Sequence, residues 1–396
     1  MLAQTDKGAR RRGRGGAAEV EMATIEIPKN LLPKDGRFGA GPSKVRAEGV
    51  DALRDAGTTV LGTSHRQAPV KELVARVRRG IVEFLGLPEG YEVILGNGGS
   101  TAFWDVATFC LIERKSEHLS FGEFSSKFAI AAEQAPFLDE PRVENADYGT
   151  RPEAVADDSV DAYALTHNET STGVSMPLAR PRHSDGRVAD GLVLVDGTSA
   201  AGGLRFDPLE TDVYYFAPQK GLGSDGGLWL AACSPAALER SAAIGASGRF
   251  IPAILDLNIA IENSRLEQTY NTPALATLLL AAEQIEWFNA NGGIEWSASR
   301  SDRSAEILYG WAERSPHAHP FVEKPDERSH VIGTIDFDEG IDAAAVAKVL
   351  RENGIVDTEP YRKLGRNQLR IAMFPGIDPD DVEALTACID HVIGAL

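Results

Sequence analysis

Cysteine is scarce in this chain of 396 residues. The three cysteines, Cys110, Cys233 and Cys388, are far apart, and no two of them form a C-x-x-C pair. The odd number argues against a disulfide framework, and the missing C-x-x-C spacing argues against the common cysteine-based zinc sites. We therefore predict reduced thiols, a cytoplasmic protein and no metal centre.

Long apolar runs are also missing. A helix needs about 20 predominantly apolar residues to cross a bilayer. The longest apolar stretch, residues 275–282, is far shorter and is interrupted by Thr277. This stretch predicts a buried helix, and the chain as a whole predicts no membrane partner.

The N-terminus lacks the apolar segment that a signal peptide places after its basic residues. The basic residues themselves are present, and Glu19 and Glu21 follow them; they are Lys7, Arg10, Arg11, Arg12 and Arg14. We predict that residues 1–24 form a disordered leader. An arm that binds nucleic acid is the alternative interpretation.

Positive charge is in deficit, since 40 Lys and Arg stand against 58 Asp and Glu, a net charge of −18. Such a charge disfavours non-specific binding to nucleic acid or to anionic membranes. An anionic substrate must therefore meet a local cluster of Arg, Lys and His within a repulsive background.

What the sequence does contain is a regular alternation of helical patterns with short apolar runs. The predicted strands lie at residues 92–95, 118–120, 162–166, 192–195, 213–216 and 228–232. Strands that alternate with helices indicate an α/β fold with a mostly parallel sheet covered on both faces. We assign residues 25–290 to this large domain, with residues 25–44 packing on the smaller one.

The pattern changes after a helix that we expect to begin with Thr272 as N-cap and Pro273 at the first helical position. Beyond residue 290 we predict strands at residues 331–337 and 368–373, and helices at residues 342–352 and 379–393. Residues 291–396 are therefore predicted to form a smaller α+β domain.

Two charged residues follow predicted strands directly. Asp196 ends the apolar run at residues 192–195, and Lys220 lies in a glycine-rich loop after the run at residues 213–216. Alone, Asp196 is as well explained as a turn residue, and a single loop lysine is usually solvated. Together they fit pyridoxal 5′-phosphate, which needs an amine for a Schiff base and an acid beside its pyridine nitrogen. The lysine pKa, ordinarily about 10.4, must then be lowered by the site.

A third feature suits the phosphate of such a cofactor. Residues 96–101 place three glycines between a predicted strand and a predicted helix at residues 102–112. Glycines let backbone N–H groups approach an anion, and a helix N-terminus adds favourable partial charge. The stretch fails the dinucleotide fingerprint, because Thr101 occupies the third glycine position, and it is not a Walker loop.

Five short segments occur in a characteristic order along the chain. They lie at residues 98–100, 167–170, 195–196, 218–220 and 270–273. In this order they resemble the class V, fold-type I aminotransferases. Residues 38–43 and 64–66 are most similar to the branch of that family that acts on phosphoserine. The resemblance covers the chain from about residue 36 to its C-terminus.

The resemblance implies a role for each matching residue. Lys220 would bind the cofactor as an internal aldimine and carry the proton. Asp196 would pair with the pyridine nitrogen, and Thr170 would bind the phenolate oxygen. The other cofactor-binding positions would be Gly99, Ser100 and Gln219 at the phosphate, Phe124 on the ring, and Asn271 and Thr272 reaching the cofactor of a neighbouring subunit.

The family also implies a homodimer with shared active sites. Its anion-binding positions correspond to His65, Arg66 and Arg370. Many relatives carry a His-Arg pair before the last arginine, but residues 359–366 contain no histidine. Three nearby cations are candidates to replace it, namely Arg362, Lys363 and Arg366.

The implied reaction is transamination between phosphoserine with 2-oxoglutarate and 3-phosphohydroxypyruvate with glutamate. This reaction belongs to serine biosynthesis, and vitamin B6 synthesis is a second pathway. Alanine–glyoxylate aminotransferases, cysteine desulfurases and lyases share the fold, although no cysteine lies in an obvious catalytic loop. A catalytically silent binding protein is the remaining alternative, against which the intact Lys220, Asp196 and phosphate-loop glycines argue.

Overall fold

The computed structural model describes residues 25–396. The predicted leader, and with it the alternative of a nucleic-acid-binding arm, lies outside the described residues. In the described part, no helix is both long enough and apolar enough to cross a membrane. The same part contains no group of three or more His, Cys, Asp or Glu residues that could hold a metal ion.

The described residues form ten α-helices and twelve strands. The helices are α1 Ala47–Val60, α2 Ala68–Leu85, α3 Ser100–Cys110, α4 Glu123–Glu133, α5 Pro235–Ala246, α6 Leu257–Arg265, α7 Leu275–Ala290, α8 Gly293–Arg314, α9 Ala343–Glu352 and α10 Pro379–Ala395. The strands are β1 Glu92–Asn97, β2 Ser116–Ser120, β3 Arg142–Asn145, β4 Ala162–Thr166, β5 Asn168–Glu169, β6 Val174–Ser175, β7 Leu192–Asp196, β8 Val213–Phe216, β9 Leu228–Cys233, β10 Ala318–Pro320, β11 Ile332–Phe337 and β12 Gln368–Ala372.

A seven-stranded sheet forms the centre of the molecule, in the order β1-β9-β8-β7-β4-β2-β3. Only β9 runs antiparallel to its neighbours, and the remaining pairs are parallel. Every residue of β4, β7, β8 and β9 is buried. This burial explains their nearly continuous apolar sequences, since strands covered by helices on both faces have no solvent side. The predicted α/β fold with a mostly parallel sheet is confirmed.

The helix α2 shows how the sequence covers this sheet. Its buried side chains recur at helical spacing, from Val70 through Leu73, Val77 and Ile81 to Phe84, so that one face is apolar. The helix ends at Gly86, whose left-handed backbone (φ 59°) forms the C-cap, a position where glycine avoids the strain of a Cβ.

The second sheet is three-stranded and antiparallel, in the order β10-β11-β12. Together with α8, α9 and α10 it encloses a separate apolar cluster. The N-terminal segment joins this cluster through Ile27 and Phe38. The backbone of Phe38 is hydrogen-bonded to Val356 at 3.2 Å and to Ala372 at 3.1 Å.

One predicted helix start is wrong. The helix α7 begins at Leu275, and its N-cap is Ala274 rather than Thr272. The Thr272 hydroxyl lies 3.1 Å from Nδ1 of His65, and its backbone carbonyl accepts a hydrogen bond from Asn97 at 2.8 Å. Thr272 therefore belongs to a loop that is held by other segments, and it does not cap the helix.

Candidate active site

A cavity opens at the carboxyl ends of β4 and β7, beside the loop that follows β8. It holds about 510 Å³ of empty space, a size typical of small-molecule sites. In α/β sheets this edge is where ligands bind. The lining residues are Gly99, Ser100, Thr101, Trp104, Phe124, Thr166, Asn168, Thr170, Asp196, Thr198, Ser199, Gln219 and Lys220.

Lys220 presents its amine to this cavity from a buried position, with 8% of the residue exposed. Its Nζ donates a hydrogen bond of 2.7 Å to Oγ1 of Thr170, and lies 4.4 Å from the centre of the Phe124 ring. Burial lowers the pKa of Lys220 to about 8, although the negative charges of Asp196 and Glu169 act in the opposite direction. A larger share of the amine is therefore neutral near physiological pH, as a nucleophilic lysine requires.

Asp196 ends β7 and is buried on the floor of the same cavity. Its Oδ1 accepts the backbone N–H of Thr198 at 2.9 Å, and its Oδ2 accepts the indole N–H of Trp104 at 3.3 Å. Burial raises the pKa of Asp196, and these two hydrogen bonds, together with the charge of Lys220, oppose the rise. A cation bound beside this carboxylate would favour its ionised form further.

The glycine-rich segment lies where β1 passes into α3. Gly98 has a φ of 117°, Gly99 is the N-cap, and the helix begins at Ser100, two residues before the predicted start. The hydroxyls of Ser100 and Thr198 are hydrogen-bonded to each other. A helix N-terminus that points into a cavity offers backbone N–H groups and partial positive charge to an anion.

Two polar side-chain atoms around the cavity lack hydrogen-bond partners within the described protein. They are Oε1 of Gln219 and Oδ1 of Asn168, both buried. An unpaired buried polar atom costs free energy, and a ligand in the cavity that donates hydrogen bonds would remove that cost.

Four predicted site residues lie elsewhere, two of them predicted for the cofactor of a neighbouring subunit (Asn271 and Thr272) and two for substrate anions (His65 and Arg66). His65, Arg66, Asn271 and Thr272, here called the second cluster, do not line the cavity. His65 and Thr272 contact each other, and the Arg66 guanidinium donates to the side chain of Gln268. The structure thus separates the predicted site residues into two groups.

Arg370 lies on β12 and is directed towards the cavity. Its Nη1 donates to the carbonyl of Thr170 at 3.2 Å, and its guanidinium lies 5.4 Å from the Tyr361 ring. Its Nε is buried and has no partner among the described residues. Burial lowers the pKa of Arg370, yet an arginine stays charged, so this group can receive a carboxylate.

The three cations suggested as replacements for the missing histidine differ in their surroundings. The guanidinium of Arg366 pairs with the buried Asp336, and the amine of Lys363 pairs with Glu123. Arg362 is exposed and has no ion pair within the described residues. Its neighbour Tyr361 stands 6.2 Å from the Phe124 ring, which places this loop beside the cavity.

The segment at residues 38–43 passes over the cavity lysine. Gly41 (φ 150°) is so close that a Cβ there would lie 2.9 Å from Cε of Lys220. The backbone N–H of Ser43 donates to the carbonyl of Gln219 at 2.7 Å. Only glycine leaves the lysine stem in place, which gives this segment a physical reason for its sequence.

Several cavity residues were missed in the sequence, most clearly Trp104, Thr198 and Ser199. Trp104 reads as one more apolar residue of a helix, and no local pattern tells which face of α3 meets Asp196. Thr198 and Ser199 come shortly after Asp196, which ends a predicted strand. Their position at the carboxyl end of that strand could have predicted that they line the cavity.

The family model described as "Aminotransferase class-V" matches residues 38–358. A phosphoserine aminotransferase from Nocardioides sp. is 62% identical over 372 residues, which cover 94% of this chain and 99% of that protein. A phosphoserine aminotransferase from Rhodococcus jostii is 59% identical over 374 residues, with the same shares of 94% and 99%.

Solved structures show the same fold. A phosphoserine aminotransferase from Cytophaga hutchinsonii superposes with a TM-score of 0.83, covering 91% of this chain and all of that one at 24% identity. An aspartate aminotransferase from Thermus thermophilus superposes with a TM-score of 0.74 over 90% of this chain and 99% of that one at 22% identity. The chain therefore belongs to the class-V aminotransferases, a family of pyridoxal 5′-phosphate-dependent transaminases, and shares about 60% of its sequence with relatives named phosphoserine aminotransferases.

Proposed function

We propose that this enzyme transfers an amino group between O-phosphoserine with 2-oxoglutarate and 3-phosphohydroxypyruvate with glutamate, as a step of serine biosynthesis. The observation that carries the proposal is the meeting of a buried amine, Lys220, with a buried acid, Asp196, in one cavity. The names of the relatives at about 60% identity supply the substrate class.

The residues around the cavity fit pyridoxal 5′-phosphate. Asp196 would hold the ring nitrogen, and Thr170 the ring oxygen. The N-terminus of α3 at Gly99 and Ser100 would hold the phosphate, and the side-chain amide N–H of Gln219, which also lines the cavity, would donate to it. When bound, the cofactor supplies an electron sink for the bonds of the substrate α-carbon.

Lys220 would move the proton of the reaction. With a pKa of about 8, roughly a tenth of its amine is neutral at pH 7, which is far more than for an ordinary lysine. The neutral amine can take the proton from the substrate α-carbon, and the resulting ammonium can return it. The hydroxyl of Thr170, 2.7 Å away, would hold the amine in position between these steps, and the Phe124 ring would cover the cofactor from one side.

Within one chain, substrate recognition would divide between two arginines. Arg370, half-buried and with a buried Nε that has no partner among the described residues, would bind the α-carboxylate. Arg362, exposed beside Tyr361, would bind the phosphate of phosphoserine or the distal carboxylate of glutamate. The pairing of Arg366 with Asp336 and of Lys363 with Glu123 leaves Arg362 as the strongest of the three candidates.

Substrate preference tests this proposal. We expect kcat/KM for phosphoserine to exceed that for serine or alanine by at least about 10³-fold, since charge-assisted recognition of a dianion is lost with the smaller substrates. Arg362→Ala should lower kcat/KM for phosphoserine roughly 30-fold and change alanine turnover little. The matched control is Arg303→Ala, an exposed arginine on α8, which should leave both values unchanged. Equal kcat/KM for alanine and phosphoserine would reject the assignment.

We further propose that the enzyme is a homodimer in which the second cluster of one subunit completes the cavity of the other. The support is geometric. Four residues that the resemblance places at the active site lie outside the cavity of their own chain, namely Asn271 and Thr272 at the cofactor and His65 and Arg66 at the substrate anions. Two of them, Thr272 and His65, contact each other. A twofold axis would place the second cluster of each subunit at the cavity of the other subunit.

Hybrid dimers test this arrangement. Lys220→Ala and Arg66→Ala are each expected to inactivate the homodimer. Co-expression of the two should restore about a quarter of wild-type activity, because half of the dimers are hybrids and each hybrid has one intact site. Lys220→Ala co-expressed with Asp196→Asn is the control, since both changes lie in the same cavity and no intact site can form. Equal restoration in the two mixtures would contradict shared sites.

We infer a cytoplasmic location from two features. All three cysteines are buried and free, which suits a reducing compartment. The proposed substrates are also small phosphorylated metabolites of central biosynthesis.

A further inference from the structure

Glu169 is a buried carboxylate that the proposed reaction does not use. It lies on β5, next to Thr170, and its residue exposure is 0%. A buried charge is costly unless hydrogen bonds compensate it. Glu169 accepts five hydrogen bonds from two neighbouring segments.

The five hydrogen bonds are divided between the two carboxylate oxygens. Oε2 accepts the backbone N–H of Phe124 at 3.1 Å, and the backbone N–H and hydroxyl of Ser125 at 2.9 and 3.0 Å. Oε1 accepts the backbone N–H and hydroxyl of Ser171 at 3.1 and 2.7 Å. The carboxylate thus ties the first turn of α4 to the turn that follows β5.

The first turn of α4 needs such a partner. Its N-cap is Gly122, which has no side chain to accept the free N–H groups of a helix start. Glu169 accepts two of these groups from outside the helix, and its negative charge suits the positive end of the helix dipole. The fit is close, because a Cβ on Gly122 would lie 2.3 Å from Cγ of Glu169.

The two side chains that flank the lysine amine both depend on the end of β5 and the residue that follows it. The hydroxyl of Thr170 receives the hydrogen bond from Lys220. The ring of Phe124 lies 4.4 Å from the same Nζ, and its backbone N–H is held by Glu169. Two consecutive residues, Glu169 and Thr170, therefore position two different walls of the cavity around one amine.

We propose that Glu169 is a positioning residue, which fixes the Phe124 ring over the cavity by holding the start of α4. This inference rests on the proposed function only in taking the cavity to be the pyridoxal 5′-phosphate site. Glu169 does not line the cavity itself, so it acts on the cofactor through Phe124.

The carboxylate cannot be replaced by its amide without loss. Each oxygen of Glu169 faces at least one backbone N–H, from Phe124 and Ser125 on one side and from Ser171 on the other. In Glu169→Gln the NH₂ group must oppose one of these donors, whichever way the amide is turned. The first turn of α4 must then shift, and Phe124 must move with it.

A double-mutant cycle tests the proposal. Glu169→Gln is expected to weaken binding of pyridoxal 5′-phosphate roughly tenfold, near the upper limit for one stacked aromatic contact. It should also reduce the visible circular dichroism of the bound cofactor. Phe124→Leu should produce a loss of similar size. The double variant should bind no more weakly than Phe124→Leu alone, because both changes remove the same contact.

A second test variant and a control variant complete the experiment. Ser171→Ala removes one donor to Oε1 and should give a smaller change of the same sign, so the test does not depend on Glu169→Gln folding. Glu117→Gln changes an equally buried glutamate on β2 that lies outside the cavity, and it should leave cofactor affinity and dichroism unchanged.

Additive losses in the double variant would overturn the proposal, as would unchanged dichroism in both Glu169→Gln and Ser171→Ala. These measurements use the cofactor alone. An enzyme that binds pyridoxal 5′-phosphate but ignores phosphoserine would therefore refute the proposed substrate and leave the test of Glu169 intact.

Discussion

Replacing Lys220 with alanine is expected to lower kcat by about 10⁴-fold or more, because one amine serves both to bind the cofactor and to move the proton. Alanine leaves no group that can take either role, since the hydroxyl of Thr170 is far too weak a base. The measurement is the steady-state rate with glutamate and 3-phosphohydroxypyruvate.

The matched control is Lys348→Ala, a lysine on α9 with 66% of its side chain exposed. It should keep the wild-type rate. Lys220→Ala should also retain a cooperative thermal transition, because the loss concerns chemistry rather than folding. A Lys220→Ala protein that keeps a tenth of the wild-type rate would show that the amine is not the catalytic group.

Replacing Asp196 with asparagine is expected to lower kcat on the order of 10²- to 10³-fold, the range found when one preorganised electrostatic group is removed. Asparagine has nearly the same shape and can still accept the N–H of Thr198, but it carries no negative charge to hold a protonated ring nitrogen.

The same change should alter the stability of the cofactor-free protein only slightly, because two effects oppose each other. The amide NH₂ must face the indole N–H of Trp104 and loses that hydrogen bond, whereas the penalty of a buried charge is relieved. Burial raises the pKa of Asp196, so the folded state disfavours its charge, and a neutral amide removes that penalty. We expect a Tm close to that of the wild type for Asp196→Asn without cofactor, together with the loss in kcat. The control is Asp105→Asn, an exposed acid on the same helix as Trp104. A wild-type kcat in Asp196→Asn would remove Asp196 from the mechanism.

The elements that the sequence predicted best are those with one dominant local signal. The strands β4, β7 and β8 are apolar runs closed by turn residues, and each is present within a residue of its predicted bounds. Because carboxyl ends of parallel strands meet at one edge, the proximity of Asp196 and Lys220 also followed from local patterns.

The elements that were missed carry no such signal. The edge strand β3 has the sequence Arg-Val-Glu-Asn and alternates between half-buried and exposed residues, and β10 is three residues long and contains His319 and Pro320. Their strand character comes from pairing with neighbours, and propensity is a weak guide to such pairing.

Contacts between distant segments were likewise beyond sequence reasoning. Three contacts join residues far apart in the chain: the indole of Trp104 with Asp196, the ring of Tyr361 with that of Phe124, and the carboxylate of Glu169 with the start of α4. The predicted start of α7 at Thr272 was too early for the same reason. Contacts with His65 and Asn97, which are distant in the sequence, hold that threonine in a loop.

The most direct test of the account is to add glutamate alone to the purified enzyme loaded with pyridoxal 5′-phosphate. If Lys220 and Asp196 act on one cofactor in one cavity, glutamate must convert that cofactor to its amino form. The yellow absorbance should then fall and return when 3-phosphohydroxypyruvate is added. A spectrum that neither glutamate nor phosphoserine changes would contradict the central claim.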